Sequence, residues 1–477
     1  MKITNEFKFF NEKVEKILKY LFAISIILIP FDNLPYFKNI LGELSFKGSV
    51  YPFILIIIIF IINSIMLKEI YINMKKQYYL IFIFIGWVFL SSFINFNSII
   101  TNNLKQRTGV EKFLLQGLVL IFMFMVMYVT EALISSKKIS IQDLRKYILF
   151  SSIPVAIYGF IELLNLVGIF NLNSFIENVS YCIQTYHRGE VYYKGVRSVT
   201  GEVSYFAMYL AFALPWIGSF IFTEKNKVRR IGSSFLLLVL LILMIFSKSR
   251  TAYAIIFIQI FLFITFILLF KVEKNNKILL IKGLGIVCTI FLLFNFTKLN
   301  DIGGDPNSVS KISIKSLIIS LTDPNNMSNV ARGGMQQAAI KMGIDSPIFG
   351  VGLGQYGFNT EDYISERAKE SDEVKWWISD LAETRESWPP AFSIYPRVLA
   401  EQGVVGLFLC SVFIINILKN FIKILWKREN DILGIALIVS YLCVLVSWWN
   451  FDTFASFGFW ILTPFLVLYS YKDGLKE

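Results

Sequence analysis

Long apolar runs, separated by short polar or basic clusters, fill most of the chain. Twelve of them approach or reach the roughly 20 residues that carry a helix across a bilayer: Ile17–Leu34, Val50–Leu67, Tyr78–Phe96, Phe113–Leu133, Tyr147–Phe170, Ser204–Phe222, Ile231–Phe246, Thr251–Phe270, Ile278–Phe296, Val398–Leu418, Ile432–Trp449 and Thr453–Tyr471. A membrane β-barrel would instead show short segments alternating apolar and polar. The pattern therefore predicts an all-α, polytopic membrane protein. Pro154, Pro215 and Pro464 fall in or near these runs, where membrane helices tolerate kinks. The pattern breaks once, between the ninth and tenth runs. Residues 297–397 are polar and long, which divides the chain into 1–296 (nine spans), 297–397 (one large loop) and 398–477 (three spans).

Within the large loop, Val309–Leu321 places apolar residues on one face and lysines on the other, as an interfacial helix would. Ala331–Gly343 reads as a short helix ended by Pro347. Residues 361–386 are rich in acids and carry Trp376 and Trp377, a pattern that fits a solvated helix better than a metal site, since the carboxylates lack ligand spacing. The first run resembles the front of a signal peptide but has no small-residue cleavage site, and Pro30-Phe31-Asp32 reads as a helix end, so it is expected to be retained.

Composition agrees with the pattern. Of 477 residues, 55% are hydrophobic and 17% charged, against about 25% charged in a soluble domain. The net charge of +12 does not point to nucleic acid, because the basic residues gather in short loops between runs. With the N-terminus inside, the clusters at Lys68/Lys75/Lys76, Lys137/Lys138/Arg145/Lys146, Lys225–Arg230, Lys271–Lys282 and Lys423–Arg428 all face the cytoplasm. Both termini are then cytoplasmic and the large loop lies outside. Ser247-Lys248-Ser249-Arg250 is an exception, a short outer turn holding two cations against that bias. Four cysteines without paired spacing and a single histidine, His187, support neither a disulfide framework nor a metal centre.

The candidate chemistry gathers at expected outer helix ends. Arg197 precedes the sixth run and Glu202 stands at its mouth; an ionisable group at membrane depth costs about 2.5–3.5 kcal/mol and is seldom idle. The plainer alternative pairs Glu202 with Arg197 as a helix cap. Arg250 opens the eighth run, where it equally fits a snorkelling interfacial residue. Arg332 begins the helix in the loop. Gly350, Gly352 and Gly354 resemble a phosphate cradle but lack the strand–helix unit of a dinucleotide fold, so a tight backbone turn is expected there. Tyr395, Arg397 and Glu401 mark the return to the membrane, with Arg397 and Glu401 on one helix face. Arginine forks bind phosphate oxygens in pairs and stay charged. Fixed cations in a partly dry site stabilise the charge that develops on a departing pyrophosphate.

Four patterns carry a family resemblance. They are Arg197-x-x-x-Gly201 followed by Glu202-Val203-Ser204; Ser249-Arg250-Thr251; Arg332-x10-Gly343 with Ser346-Pro347-x-x-Gly350-x-Gly352; and Glu401-x-Gly403-x-x-Gly406. In this order the chain resembles the O-antigen polymerase/O-antigen ligase family of bacterial membrane proteins. The resemblance implies a glycosyltransferase-C-like fold of about twelve spans. It also implies a metal-independent glycosyltransferase, without cofactor, using undecaprenyl-pyrophosphate-linked glycans as donor and acceptor. Val203 replaces the family's usual proline. The ligase branch carries a histidine nine residues before the glutamate, where this chain has Phe392, so the resemblance favours the polymerase branch. The expected activity is transfer of a growing chain to a new lipid-linked repeat unit at the outer face of the bacterial cytoplasmic membrane, with a chain-length regulator protein as a further partner. Arg197, Arg250 and Arg332 are expected to bind donor pyrophosphate. Glu202 comes first and Glu401 second as the base, and Tyr395 and Arg397 contact substrate. A glycan ligase is the nearer alternative. A transporter or flippase is the more distant one, since the notable charges sit at helix ends rather than at the membrane midplane.

Overall fold

A computed structural model of the chain describes residues 2–4, 7–72, 75–278, 323–381, 383 and 387–469. The described chain is overwhelmingly helical. Its main helices are α1 (Glu12–Ile27), α2 (Val50–Leu67), α3 (Lys76–Ile94), α4 (Gly109–Ser135), α5 (Ile141–Leu166), α6 (Asn173–Ile183), α7 (Val203–Thr223), α8 (Lys227–Phe246) and α9 (Arg250–Leu269). There follow α10 (Met327–Asp345), α11 (Tyr356–Tyr363), α12 (Ile394–Leu425), α13 (Ile432–Ser447) and α14 (Phe457–Tyr469). Two minimal strand pairs join Lys2–Thr4 to Glu69–Tyr71 in parallel and Asn103–Leu104 to Arg107–Thr108 antiparallel.

Eight of the described helices are long and apolar enough to cross a membrane: α2, α3, α4, α5, α7, α8, α9 and α12. The shorter apolar helices α13 and α14 occupy the eleventh and twelfth expected spans, and α1 the first. The ninth expected span, Ile278–Phe296, lies almost wholly outside the described residues, as does the expected interfacial helix Val309–Leu321.

From Pro35 to Leu269 the described spans turn back at each connection, as at Ser247–Arg250, where α8 ends and α9 begins. One end of the bundle gathers the tops of α3, α5, α7, α9 and α12 together with the loop; it is the site end. The basic clusters sit at the opposite end, where Asn430 donates to the Lys271 carbonyl at 2.8 Å and Lys138 pairs with Glu15. Ser247–Arg250 forms the tight turn the run lengths require, with Ser249 capping α9.

α7, α13 and α14 form the middle, and α7 packs against α8, α9 and α13. α2, α8 and α9 lie outside, with Ile58, Ile62, Phe235 and Phe257 exposed, as suits helices bathed in hydrocarbon. Lipid tails are as apolar as the side chains, so packing and hydrogen bonds between helices do the joining. Pro215 shows how. It has no N–H to give the Ala211 carbonyl one turn earlier. Gln259 of α9 donates to that carbonyl at 2.7 Å instead, and Ser440 of α13 donates to the neighbouring Phe212 carbonyl at 2.7 Å. The kink in α7 thus becomes its attachment to two neighbours.

Candidate functional site

The loop helix α10 runs from Met327, four residues before the expected start, because Asn326 caps it by accepting from Ser328 and Asn329. It packs along the first turns of α12. Gly343 makes this close approach feasible, since a Cβ there would stand 2.5 Å from Leu399 Cγ. The acidic stretch is not one helix. It breaks into Glu366–Lys369 and Asp372–Ile378 after α11, because Ser365 and Ser371 each stand at a new N-terminus. Trp376 is exposed, whereas Trp377 packs edge-on against Phe392 at 5.1 Å.

The glycine motifs form a clasp rather than a phosphate cradle. α12 kinks at Gly403, where φ is 68° and ψ −173°. Here Val404 N–H donates to the Pro347 carbonyl at 2.7 Å, not to the carbonyl one turn back. The freed Ala400 and Glu401 carbonyls accept from Val351 and Gly352, each at 2.9 Å. Trp87 of α3 donates to the Gln402 carbonyl at 2.9 Å and stacks on Phe349. Asn95 and Ser92 at the top of α3 hold the Gly350 carbonyl and the Leu353 N–H. The backbone turn expected from the glycines is present, and its N–H groups from Gly350 to Leu353 are spent on Ser346, α12 and α3.

Three polar groups occupy the site end. The first surrounds Arg197, which is 1% exposed. Its ion partner is Glu162 of α5, with Nε 4.0 Å from Oε1, and not Glu202 as the capping alternative had it. Nη1 donates to the Gly201 carbonyl at 3.2 Å and the guanidinium lies over the Tyr192 ring at 4.8 Å. Its Nε and Nη2 have no hydrogen-bond partner. Glu202 stands at the N-cap of α7 without capping it; it is exposed, and its carboxylate accepts from the Ser204 hydroxyl at 3.4 Å. Beside it, Asp32 is buried and accepts from Gly201 N–H at 2.7 Å. Burial pushes the Asp32 carboxyl up, the Lys47 ammonium pulls it back, and the Glu202 charge adds to the rise.

The second group joins Arg250 to Arg332. Arg250 Nη1 donates to Asn329 Oδ1 at 2.9 Å, which brings it to the first turn of α10. The two guanidinium charges act on each other there. Arg332 lies over the Phe392 ring at 5.4 Å, and its Nε is buried without a partner. Phe392 itself has φ 54°, in the left-handed region that costs a bulky residue of order 1–3 kcal/mol. Gln336 donates to its carbonyl at 3.4 Å. Arg197 and Arg250 approach one turn of chain, since Val196 N–H donates to the Phe246 carbonyl at 3.0 Å, but no contact links their side chains among the described residues.

The third group surrounds Glu401 and Tyr395. Glu401, the second candidate base, is 1% exposed and accepts from Arg397 Nε at 3.1 Å. Arg397 also donates to the Asp452 carbonyl and, at 2.9 Å, to Gln116. The two charges face each other and their neighbours, an ion pair that ties the top of α12 to the turn at Asp452 and to Gln116. Gln116 continues the chain to Glu43 at 2.9 Å, and Lys112 reaches Glu43 at 2.8 Å. Burial pushes the Glu43 carboxyl up, but Lys112, Arg397 and the Gln116 amide outweigh it and hold it at about 2. Tyr395 likewise turns inward: its hydroxyl donates to the Leu445 carbonyl at 2.7 Å and its ring lies against Trp448 and Trp449.

The residues that sequence reasoning missed are Asp32, Glu43, Lys112, Glu162 and the turn Trp448–Asp452. Glu162 had a signal, an acid inside an apolar run. The turn had none. It ties the groups together: Gln336 donates to the Trp449 carbonyl, Ile394 N–H to the Trp448 and Phe451 carbonyls, and Ala391 N–H to Asp452 Oδ2, while Phe451 stacks on Tyr205 at 5.2 Å. Among the described residues no group of three or more His, Cys, Asp or Glu side chains could hold a metal ion.

Residues 234–411 match the family model described as O-antigen ligase. No curated protein matches the chain. The matched stretch carries Arg250, Arg332, Tyr395, Arg397 and Glu401, and over it the chain is similar to the O-antigen ligase family.

Proposed function

We propose that this protein polymerises undecaprenyl-pyrophosphate-linked oligosaccharide repeats into O-antigen or another surface polysaccharide at the outer face of the cytoplasmic membrane. The observation that carries the reading is the meeting of Arg250 and Arg332, from separate elements, at one helix end. Two like charges held together in a half-buried place repel unless an anion comes between them. A pyrophosphate is such an anion, and Arg332 Nε has a donor to offer it. Arg197 would add a third cation once the Tyr192 ring moves off it. In the reaction, an acceptor hydroxyl attacks the anomeric carbon of the donor sugar. The bond from that carbon to the pyrophosphate oxygen breaks, the arginines take up the leaving charge, and the hydroxyl proton passes to a carboxylate. Glu202 suits that role because it is exposed and pairs with no cation among the described residues, whereas Glu401 is locked to Arg397. No metal or cofactor enters this scheme.

The polymerase is preferred to the ligase because the Arg332 guanidinium rests on a phenyl ring, Phe392, with no titratable nitrogen to take a proton. The chain's one histidine, His187, is exposed and paired with Glu190. Purified protein given one lipid-linked repeat should build a ladder of products. A single addition to a foreign acceptor would move the assignment to ligase. Arg250→Ala and Arg332→Ala should each slow extension by roughly 10²–10³, the scale of one lost charge-stabilising donor. Full chain growth by either variant would sink the pyrophosphate assignment.

A further inference from the structure

We infer that Glu162 is a positioning residue of the donor site, acting through Arg197; this rests on the reading of Arg197 as a pyrophosphate ligand. Glu162 lies about one turn from the site end of α5 and is 7% exposed. A carboxyl group inside an apolar span needs partners to offset its desolvation. One oxygen, Oε2, accepts from two successive backbone N–H groups, Arg197 at 3.2 Å and Ser198 at 2.7 Å. That pair of bonds fixes the chain direction where Arg197 leaves it.

The local backbone depends on this hold. Ser198 has φ 56°, a conformation a residue with a Cβ rarely adopts unaided. Its hydroxyl donates to the Val155 carbonyl of α5 at 2.7 Å. Gly159, between Val155 and Glu162 on the same helix, leaves room for it, since a Cβ there would sit 3.3 Å from Ser198 Cβ and 2.7 Å from Leu243. One face of α5 thus supplies an acceptor, a space and a second acceptor for three consecutive turns of helix against one strained residue.

The guanidinium is aimed rather than consumed. An arginine used only as a structural ion partner would spend its fork on both carboxylate oxygens at hydrogen-bond distance. Here Oε1 stays 4.0 Å from Nε, and Nε and Nη2 are buried without a hydrogen-bond partner among the described residues, with the Tyr192 ring 4.8 Å from the guanidinium. Glu162 holds the main chain, and the two free donors are left for an incoming anion.

The test uses the purified full chain, with undecaprenyl pyrophosphate added as product inhibitor of lipid-linked oligosaccharide extension. Glu162→Ala should raise the inhibition constant roughly tenfold, the scale of one lost hydrogen bond. Glu162→Gln keeps an acceptor oxygen and should stay close to wild type. On an Arg197→Ala background, Glu162→Ala should add nothing further, because it acts through the missing side chain. Effects that multiply in the double variant would show that Glu162 works independently and overturn the inference. So would a Glu162→Ala protein that melts lower but is inhibited as before. If Arg197→Ala alone leaves inhibition untouched, the donor-site reading itself falls, and that outcome is distinct from the other two.

Discussion

Gly403→Ala tests whether the clasp between the loop and α12 holds the site together. The added Cβ would lie 2.2 Å from the Ile348 carbonyl oxygen, 2.4 Å from its carbon and 2.7 Å from the Pro347 oxygen. These are backbone atoms in a turn, so no side chain can swing aside. The residue's own φ of 68° with ψ −173° is a region that essentially only glycine visits, at a cost of about 1–3 kcal/mol for others. Moving the loop away forfeits the bonds from Val404 to Pro347, Val351 to Ala400 and Gly352 to Glu401, each worth about 0.5–1.5 kcal/mol net. Straightening the helix would recover one of them. The expected loss is about 2–6 kcal/mol, concentrated where Arg332 and Arg397 are set in place. Gly86→Ala is the control: nothing among the described residues lies within 4 Å of a Cβ there, and alanine in a helix interior is favoured by roughly 0.5–1 kcal/mol. Tryptophan fluorescence during heating is a direct readout, because Trp87 sits on the clasp. Oligosaccharide extension is measured beside it. If Gly403→Ala melts with the control and extends chains normally, the clasp is not what organises the site.

Three further outcomes follow from the same contacts. Glu401→Leu removes the carboxylate hydrogen-bonded to the buried Arg397 and should cost about 3–5 kcal/mol, while the double variant Arg397→Met/Glu401→Leu recovers much of that; thermal unfolding of the two checks it, and turnover per folded molecule in the single variant should equal wild type if Glu401 is not the base. Tyr395→Phe removes only the bond to the Leu445 carbonyl, so it should cost about 0.5–1.5 kcal/mol and leave extension rates unchanged. Glu43, held at about 2 in the folded protein against an ordinary 4.5, stabilises its turn above the ordinary value and loses that contribution as pH falls toward 2; an acid titration of unfolding should show this limb in wild type and lack it in Glu43→Gln.

Much of the architecture was legible because lipid imposes a crude rule. A helix in hydrocarbon must be long and apolar, so run length alone locates Val50–Leu67 or Arg250–Leu269 within a few residues. The odd turn at Ser247–Arg250 was forced by length as well. Arg250 was legible as a charge against the topological bias, and Arg197 as one beside the mouth of a span. Which charge meets which was not. Arg197 reads as the neighbour of Glu202, five residues on, yet pairs with Glu162, thirty-five residues back, because α5 and α7 stand side by side. The glycine triplet read as a tight turn, which it is, but its partner Gly403 lies in another motif, and only three dimensions join them. Tyr395 and Glu401 were singled out for their chemistry, while their inward contacts to the Leu445 carbonyl and to Arg397 had no signal in the sequence beyond the four-residue spacing of Arg397 and Glu401.

The turn from Trp448 to Asp452 receives hydrogen bonds from α10, from the start of α12 and from Arg397, and it stacks on α7 through Phe451. A segment on which so many others lean has no freedom of length. One inserted residue would shift each corner by about 3.3–3.6 Å, the reach of a single residue, and in different directions. Relatives that handle different sugars should therefore vary in the exposed acidic stretch after α11, by insertion as well as substitution. Here they should change side chains only, and a catalogue of their lengths at this turn would show a single value.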